Sequence, residues 1–107
     1  MSLDVSLTVE QDTDVYSANI THNLGHMAEA AGIYRYLWRP EELGITHARD
    51  LIPALEGGLE RLQADPEYYQ QFNSPNGWGT YEHFVPFVER YLEACRENPN
   101  AKIGISR

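Results

Sequence analysis

The chain has 107 residues, 42% hydrophobic and 22% charged, the composition of a folded protein rather than a disordered one, and long enough for one domain with its own core. Sixteen acidic residues against eight Lys and Arg give a formal charge of -8, which repels phosphate backbones and sets the expectation that no nucleic acid is bound. No apolar run approaches the roughly 20 residues that span a bilayer, the start Met1-Ser-Leu-Asp-Val5 lacks the regions of a signal peptide, and Cys95 is the only cysteine; no membrane, no intrachain disulfide and a cytoplasmic location are expected.

Leu3, Val5, Leu7 and Val9 alternate with Asp4, Ser6, Thr8 and Glu10, a period of two that predicts a strand with one wet face. Turn chemistry follows at residues 11–14, and Val15 to Ile20 is expected to return as a second, shorter strand. From Thr21, the natural N-cap, the period changes. Leu24, Met27, Ala28 and Ala31 fall at helical spacing, and Gly32 is placed to stop the helix in a left-handed conformation. Ile33 to Trp38 reads as a helical turn that Pro40 ends.

Thr46 is expected to cap the next helix, with Ala48, Leu51, Ile52, Leu55, Leu59 and Leu62 on one arc of about 100° and Pro53 kinking its start. Asp65-Pro66 reads as an N-cap and first helical position opening a short helix through Tyr68, Tyr69 and Phe72. Beyond the loop at 73–79, Tyr81, Phe84, Val85, Val88, Tyr91, Leu92 and Cys95 define the clearest amphipathic helix, capped by Thr80 and bent in its first turns by Pro86. Ile103 and Ile105 alternate with polar or small neighbours as in an edge strand. The economical architecture is a single α+β domain over residues 1–107. It has a small two- or three-stranded sheet, in which the N- and C-terminal strands are neighbours, and three main helices packed on one face.

Two polar, glycine-marked segments, 19–26 and 73–81, run straight into helices. Helix starts offer free backbone N–H groups that receive polar or anionic ligands. Thr21, His22 and Asn23, with Asn76, Gly77 and Trp78, would form a ligand-binding pocket if the two starts converge: Asn gives directional contacts and Trp78 stacks on a planar ring. Arg39, beside Trp38, is a candidate anion partner or an ordinary surface ion pair. The plain alternative has Thr21 and Thr80 only capping, the glycines satisfying backbone angles, and Trp78 plugging the end of the core.

His22, His26 and Glu29 would project within about 60° of one another on a helix. They make a feasible metal face with an open position for an activated water, the basis of an alternative reading as a metal-dependent hydrolase. No HExxH pattern is present and the apolar stripe lies opposite, so no metal, no cofactor and no catalytic residue are expected. His47 and His83 read as surface groups and Cys95 as a packing residue. The acidic residues, interrupted by Arg49, Arg61, Arg90 and Arg96, do not form the dense rows of a DNA mimic. Tyr34, Tyr36, Tyr68 and Tyr69 suit a protein interface or homo-oligomer contact as well as core packing.

The start Met1-Ser-Leu-Asp-Val5, the stretches Ile20-Thr-His-Asn-Leu-Gly-His-Met-Ala28, Ala31-Gly-Ile-Tyr34 and Trp38-Arg-Pro-Glu41, and the loop Pro75-Asn-Gly-Trp-Gly-Thr-Tyr-Glu82 together resemble an uncharacterised family of small phage, prophage and bacterial proteins. The resemblance covers nearly the whole length and implies a phage or mobile-element setting, without a mechanism. The expectation is a small protein that binds a small polar or nucleotide-like ligand or a host protein, in interference with host defence, and leans away from catalysis. A plain protein-interaction module is the further alternative.

Overall fold

A computed structural model describes residues 2–10 and 13–107. Two strands, β1 (Ser2–Val9) and β2 (Thr13–Thr21), are followed by helices α1 (Gly25–Ala30), α2 (Tyr34–Trp38), α3 (Ile52–Ala64), α4 (Pro66–Gln70) and α5 (Tyr81–Glu97), and a last strand, β3 (Lys102–Ser106), completes the sheet. The fold is α+β, as its sequence pattern predicts. The sheet is antiparallel in the order β2-β1-β3, so the first strand of the chain is its centre and the last strand is its neighbour.

The alternation in β1 does what its period requires. Leu3, Val5 and Leu7 are buried against the helices, while Asp4 is exposed and Ser2, Ser6 and Thr8 line the open face. Val9 departs from the pattern and is 39% exposed. The register explains it: Leu7 pairs with Tyr16 but Thr8 pairs with Asp14, so Val15 is an extra, bulged residue beyond which the alternation no longer addresses the core. β2 is longer than Val15 to Ile20. The turn expected at 11–14 includes Gln11 and Asp12, which lie outside the described residues.

Three helix starts differ from the caps read in the sequence. Thr21 accepts the Asn23 N–H through Oγ1, at 3.3 Å, and so caps a tight 3-10 turn at His22–Leu24, after which α1 begins at Gly25. Thr46 does not cap α3; its hydroxyl bonds His47 Nδ1 at 2.8 Å, and a 3-10 turn at Ala48–Leu51 precedes the helix. The orphan N–H groups of Ala48 and Arg49 donate instead to the carbonyls of Ala101 and Pro99, both at 2.9 Å. Pro53 falls in the first turn of α3, where its missing N–H costs nothing, so it opens the helix rather than kinking it. Thr80 makes no capping bond either. The Tyr81 N–H at the start of α5 donates to Asn73 Oδ1 at 2.7 Å. Asp65 caps α4 as expected, accepting the Tyr68 N–H at 3.4 Å.

The core lies between one sheet face and the helices. α5 contributes Phe84, Phe87, Val88, Tyr91, Leu92 and Cys95, and Tyr91 stacks on Tyr16 of β2 with ring centroids 5.9 Å apart. α3 contributes Leu55 and Leu62, and Gly58 of α3 sits so close to the Ile33 side chain that a Cβ there would collide with it. Gly58→Ala is therefore expected to destabilise the protein by about 1–3 kcal/mol, against the usual gain of replacing glycine in a helix, as read by the midpoint of urea unfolding.

Candidate functional site

The loop at 73–80 is built almost entirely from short-range hydrogen bonds. Asn76 Oδ1 accepts the Trp78 N–H at 2.9 Å and the Ser74 hydroxyl at 2.6 Å, the Ser74 N–H donates to the Gly79 carbonyl at 2.9 Å, and the Gly77 N–H to the Ser74 carbonyl at 3.0 Å. Such a path needs left-handed backbone twice: Gly77 has φ +78° and Gly79 φ +109°. Between them stands Trp78. Its side chain is 70% exposed, so it does not plug the core, which was the plain expectation for a tryptophan in this loop.

This loop meets the start of the first helical segment. The Asn23 side-chain amide donates to the Trp78 carbonyl at 2.8 Å, and Gly79 approaches so closely that a Cβ on it would stand 3.0 Å from both Asn23 Cβ and Thr21 Cγ2. Two segments 55 residues apart are thus locked edge to edge. Beside the junction lies a hollow of about 720 Å3. Thr21, His22, Asn23, Asn76, Gly77 and Trp78 all line it.

The further lining residues include Ser2 and His83, to which the sequence did not point, and Asn19, the first residue of the polar segment 19–26. Asn19 projects from the wet face of β2, opposite Asp4 of β1, and donates to Ser2 Oγ at 2.8 Å and to Asp4 Oδ1 at 2.7 Å. Strand register is the signal that would have placed Ser2. His83 is held through Nδ1 by the Thr80 hydroxyl at 3.2 Å. Arg39 does not join the hollow. It lies in another depression with Tyr34, Arg35 and Glu42, paired to the Glu42 carboxylate at 3.2 Å.

His22 is fixed from behind. The buried Trp38 indole N–H donates to His22 Nδ1 at 2.8 Å, and Trp38 is in turn stacked on Tyr34 with centroids 5.1 Å apart. Because Nδ1 accepts, the His22 proton resides on Nε2. The same bond removes His22 from the metal face drawn through His26 and Glu29. His22 belongs to the 3-10 turn rather than to α1, and Glu29 borders the depression of Arg39. Among the described residues, no group of three or more His, Cys, Asp or Glu side chains is placed to hold a metal ion.

No protein-family model matches this chain, and no curated protein or solved structure matches it. The chemistry of the site therefore rests on its own geometry.

Cys95, the one thiol, lies in the core rather than at the hollow, and burial pushes its pKa up to about 12 from an ordinary 9.0. Burial also raises the pKa of the Tyr91 hydroxyl, which finds no partner among the described residues. Cys95 stays a protonated packing group at neutral pH. The folded pKa lies above the unfolded one, so stability is retained below pH 9.0 and lost as pH rises toward 12. Chemical unfolding measured across this range should show that decline, and native Cys95 should resist iodoacetamide at pH 8 until the chain is unfolded. In the loop, Trp78→Ala should leave stability within about 0.5 kcal/mol, whereas Gly79→Ala should cost about 1–3 kcal/mol by straining φ and prising the two segments apart. Thermal melts of both variants check this contrast.

Proposed function

We propose that the protein is a binding protein rather than a catalyst, and that it takes a small planar polar ligand in the hollow, with Trp78 as the stacking platform. The observation that carries the reading is the state of Trp78: a large apolar ring, 70% exposed, on a loop whose backbone is held at nearly every step. Water-exposed apolar area of that size costs free energy unless a partner covers it, and a backbone already held in place loses little entropy on binding. The volume of about 720 Å3 is in the range of small-molecule sites. Asn and Thr side chains supply directional hydrogen bonds.

A protein partner is the second reading. Exposed tryptophan is the commonest kind of interface anchor, and Tyr68, 47% exposed, adds a further aromatic surface elsewhere on the molecule. In the phage setting that the motif resemblance implies, either kind of binder would act inside the bacterial host by sequestering a small molecule or occupying a host protein, in interference with defence.

Nucleobases and nucleosides, titrated while Trp78 fluorescence and ligand NMR signals are followed, test the first reading. A saturable response is expected, lowered about tenfold or more in Trp78→Ala, since stacking on an aromatic ring is worth about 1–3 kcal/mol. No response from any planar ligand, together with a host protein that co-purifies stoichiometrically and is lost in Trp78→Ala, would replace this reading with the second.

A further inference from the structure

The side chains around the hollow are already partly bonded to one another, and those internal bonds decide what each has left to offer. We infer that the hollow reads the hydrogen-bonding edge of an uncharged heterocycle, a nucleobase or a nucleoside, and does not hold a phosphate; this rests on the ligand-binding reading above and narrows its ligand class.

Each amide has only one orientation that its neighbours tolerate. Asn19 gives both amide protons away, to Ser2 Oγ and Asp4 Oδ1, and keeps Oδ1 as an acceptor. Asn23 points its NH2 at the Trp78 carbonyl, which likewise leaves Oδ1 free. Asn76 is the reverse: Oδ1 takes the Trp78 N–H and the Ser74 hydroxyl, so its NH2 is the unused half. His22 accepts at Nδ1 from the Trp38 indole and has Nε2–H to donate. A flip of any of these amides would set donor against donor or oxygen against oxygen. The site thus offers two fixed acceptors and two fixed donors beside an exposed aromatic platform. A ligand that satisfies it carries both kinds of group on a planar ring.

Charge and helix geometry argue against an anionic group. No Lys, Arg, Asp or Glu lines the hollow, and the chain as a whole carries -8. Several of the N–H groups that the sequence led one to expect free at the helix starts are taken. The Tyr81 N–H goes to Asn73 Oδ1, those of His83 and Phe84 to the Thr80 carbonyl at 3.0 Å each, and that of Asn23 to the Thr21 hydroxyl. Without a Lys or Arg at the hollow, and with these N–H groups taken, a phosphate would give up its hydration for little compensation.

The test compares the best-binding common nucleoside with two relatives: one N-methylated on its base-pairing edge, and its 5′-triphosphate. Blocking the edge should weaken binding about tenfold or more, the triphosphate should bind no tighter than the nucleoside, and affinity should be unchanged between low and moderate salt. Asn76→Asp keeps the oxygen that holds the Trp78 N–H while replacing the outward NH2 by an acceptor. It should cost about tenfold in nucleoside affinity with an unchanged melting temperature. Equal binding of the edge-blocked nucleoside, or a triphosphate about tenfold tighter and salt-sensitive, would overturn the edge-reading inference and leave Trp78 a plain stacking site. Failure of every nucleoside to bind would overturn this inference together with the small-ligand reading beneath it.

Discussion

The contact between Gly79 and the Thr21–Asn23 step, closed by the hydrogen bond from the Asn23 amide to the Trp78 carbonyl at 2.8 Å, is the constraint on which the site depends. It joins the end of β2 to the loop before α5. Neither half stands alone. The loop turns its tryptophan outward because two left-handed residues and the Asn76 side chain leave it one path, and the helical start offers Asn23 because Thr21 has wound the chain into a tight turn. A backbone held at such a junction is what the proposed role of the exposed ring as a platform requires.

A second layer stands behind the first. Trp38 holds His22 in one tautomer, is itself stacked on Tyr34, and has its carbonyl bonded by Arg107 at 2.7 Å, a guanidinium that also grips Glu41 at 2.9 Å. The two tryptophans of the chain therefore do opposite things. One is 2% exposed and serves as a strut; the other is 70% exposed and serves as a surface. Support of this kind from a buried residue fixes the direction of a donor that solvent alone would leave free to change.

Much of the fold was legible because periodicity reports burial. The alternation of Leu3, Val5 and Leu7, and the helical spacing of Phe84, Val88, Tyr91, Leu92 and Cys95, each name the face that meets the core. The capping residues were less legible, for a physical reason. An orphan N–H takes whichever acceptor is nearest in space, and at α3 and α5 that acceptor came from the 98–101 turn and from Asn73, not from the preceding threonine. The bulge at Val15 was hidden likewise, because only pairing with β1 defines it. Of the candidate site, Thr21, His22, Asn23, Asn76, Gly77 and Trp78 gather around one hollow; Arg39 lies apart because α2 ends facing Glu42. Ser2 escaped notice since its approach follows from strand register, which no local motif encodes.

The order of the sheet has one more consequence. Its middle strand is made first and one of its flanks last, with Thr8 and Lys102, 94 residues apart, side by side. Until β3 joins, the hairpin of β1 and β2 has one unpaired edge along its central strand, and a two-stranded hairpin is barely stable in water without helices packed on it. Pairing across so long a stretch of chain closes a large loop, a contact whose entropic cost slows folding relative to local ones.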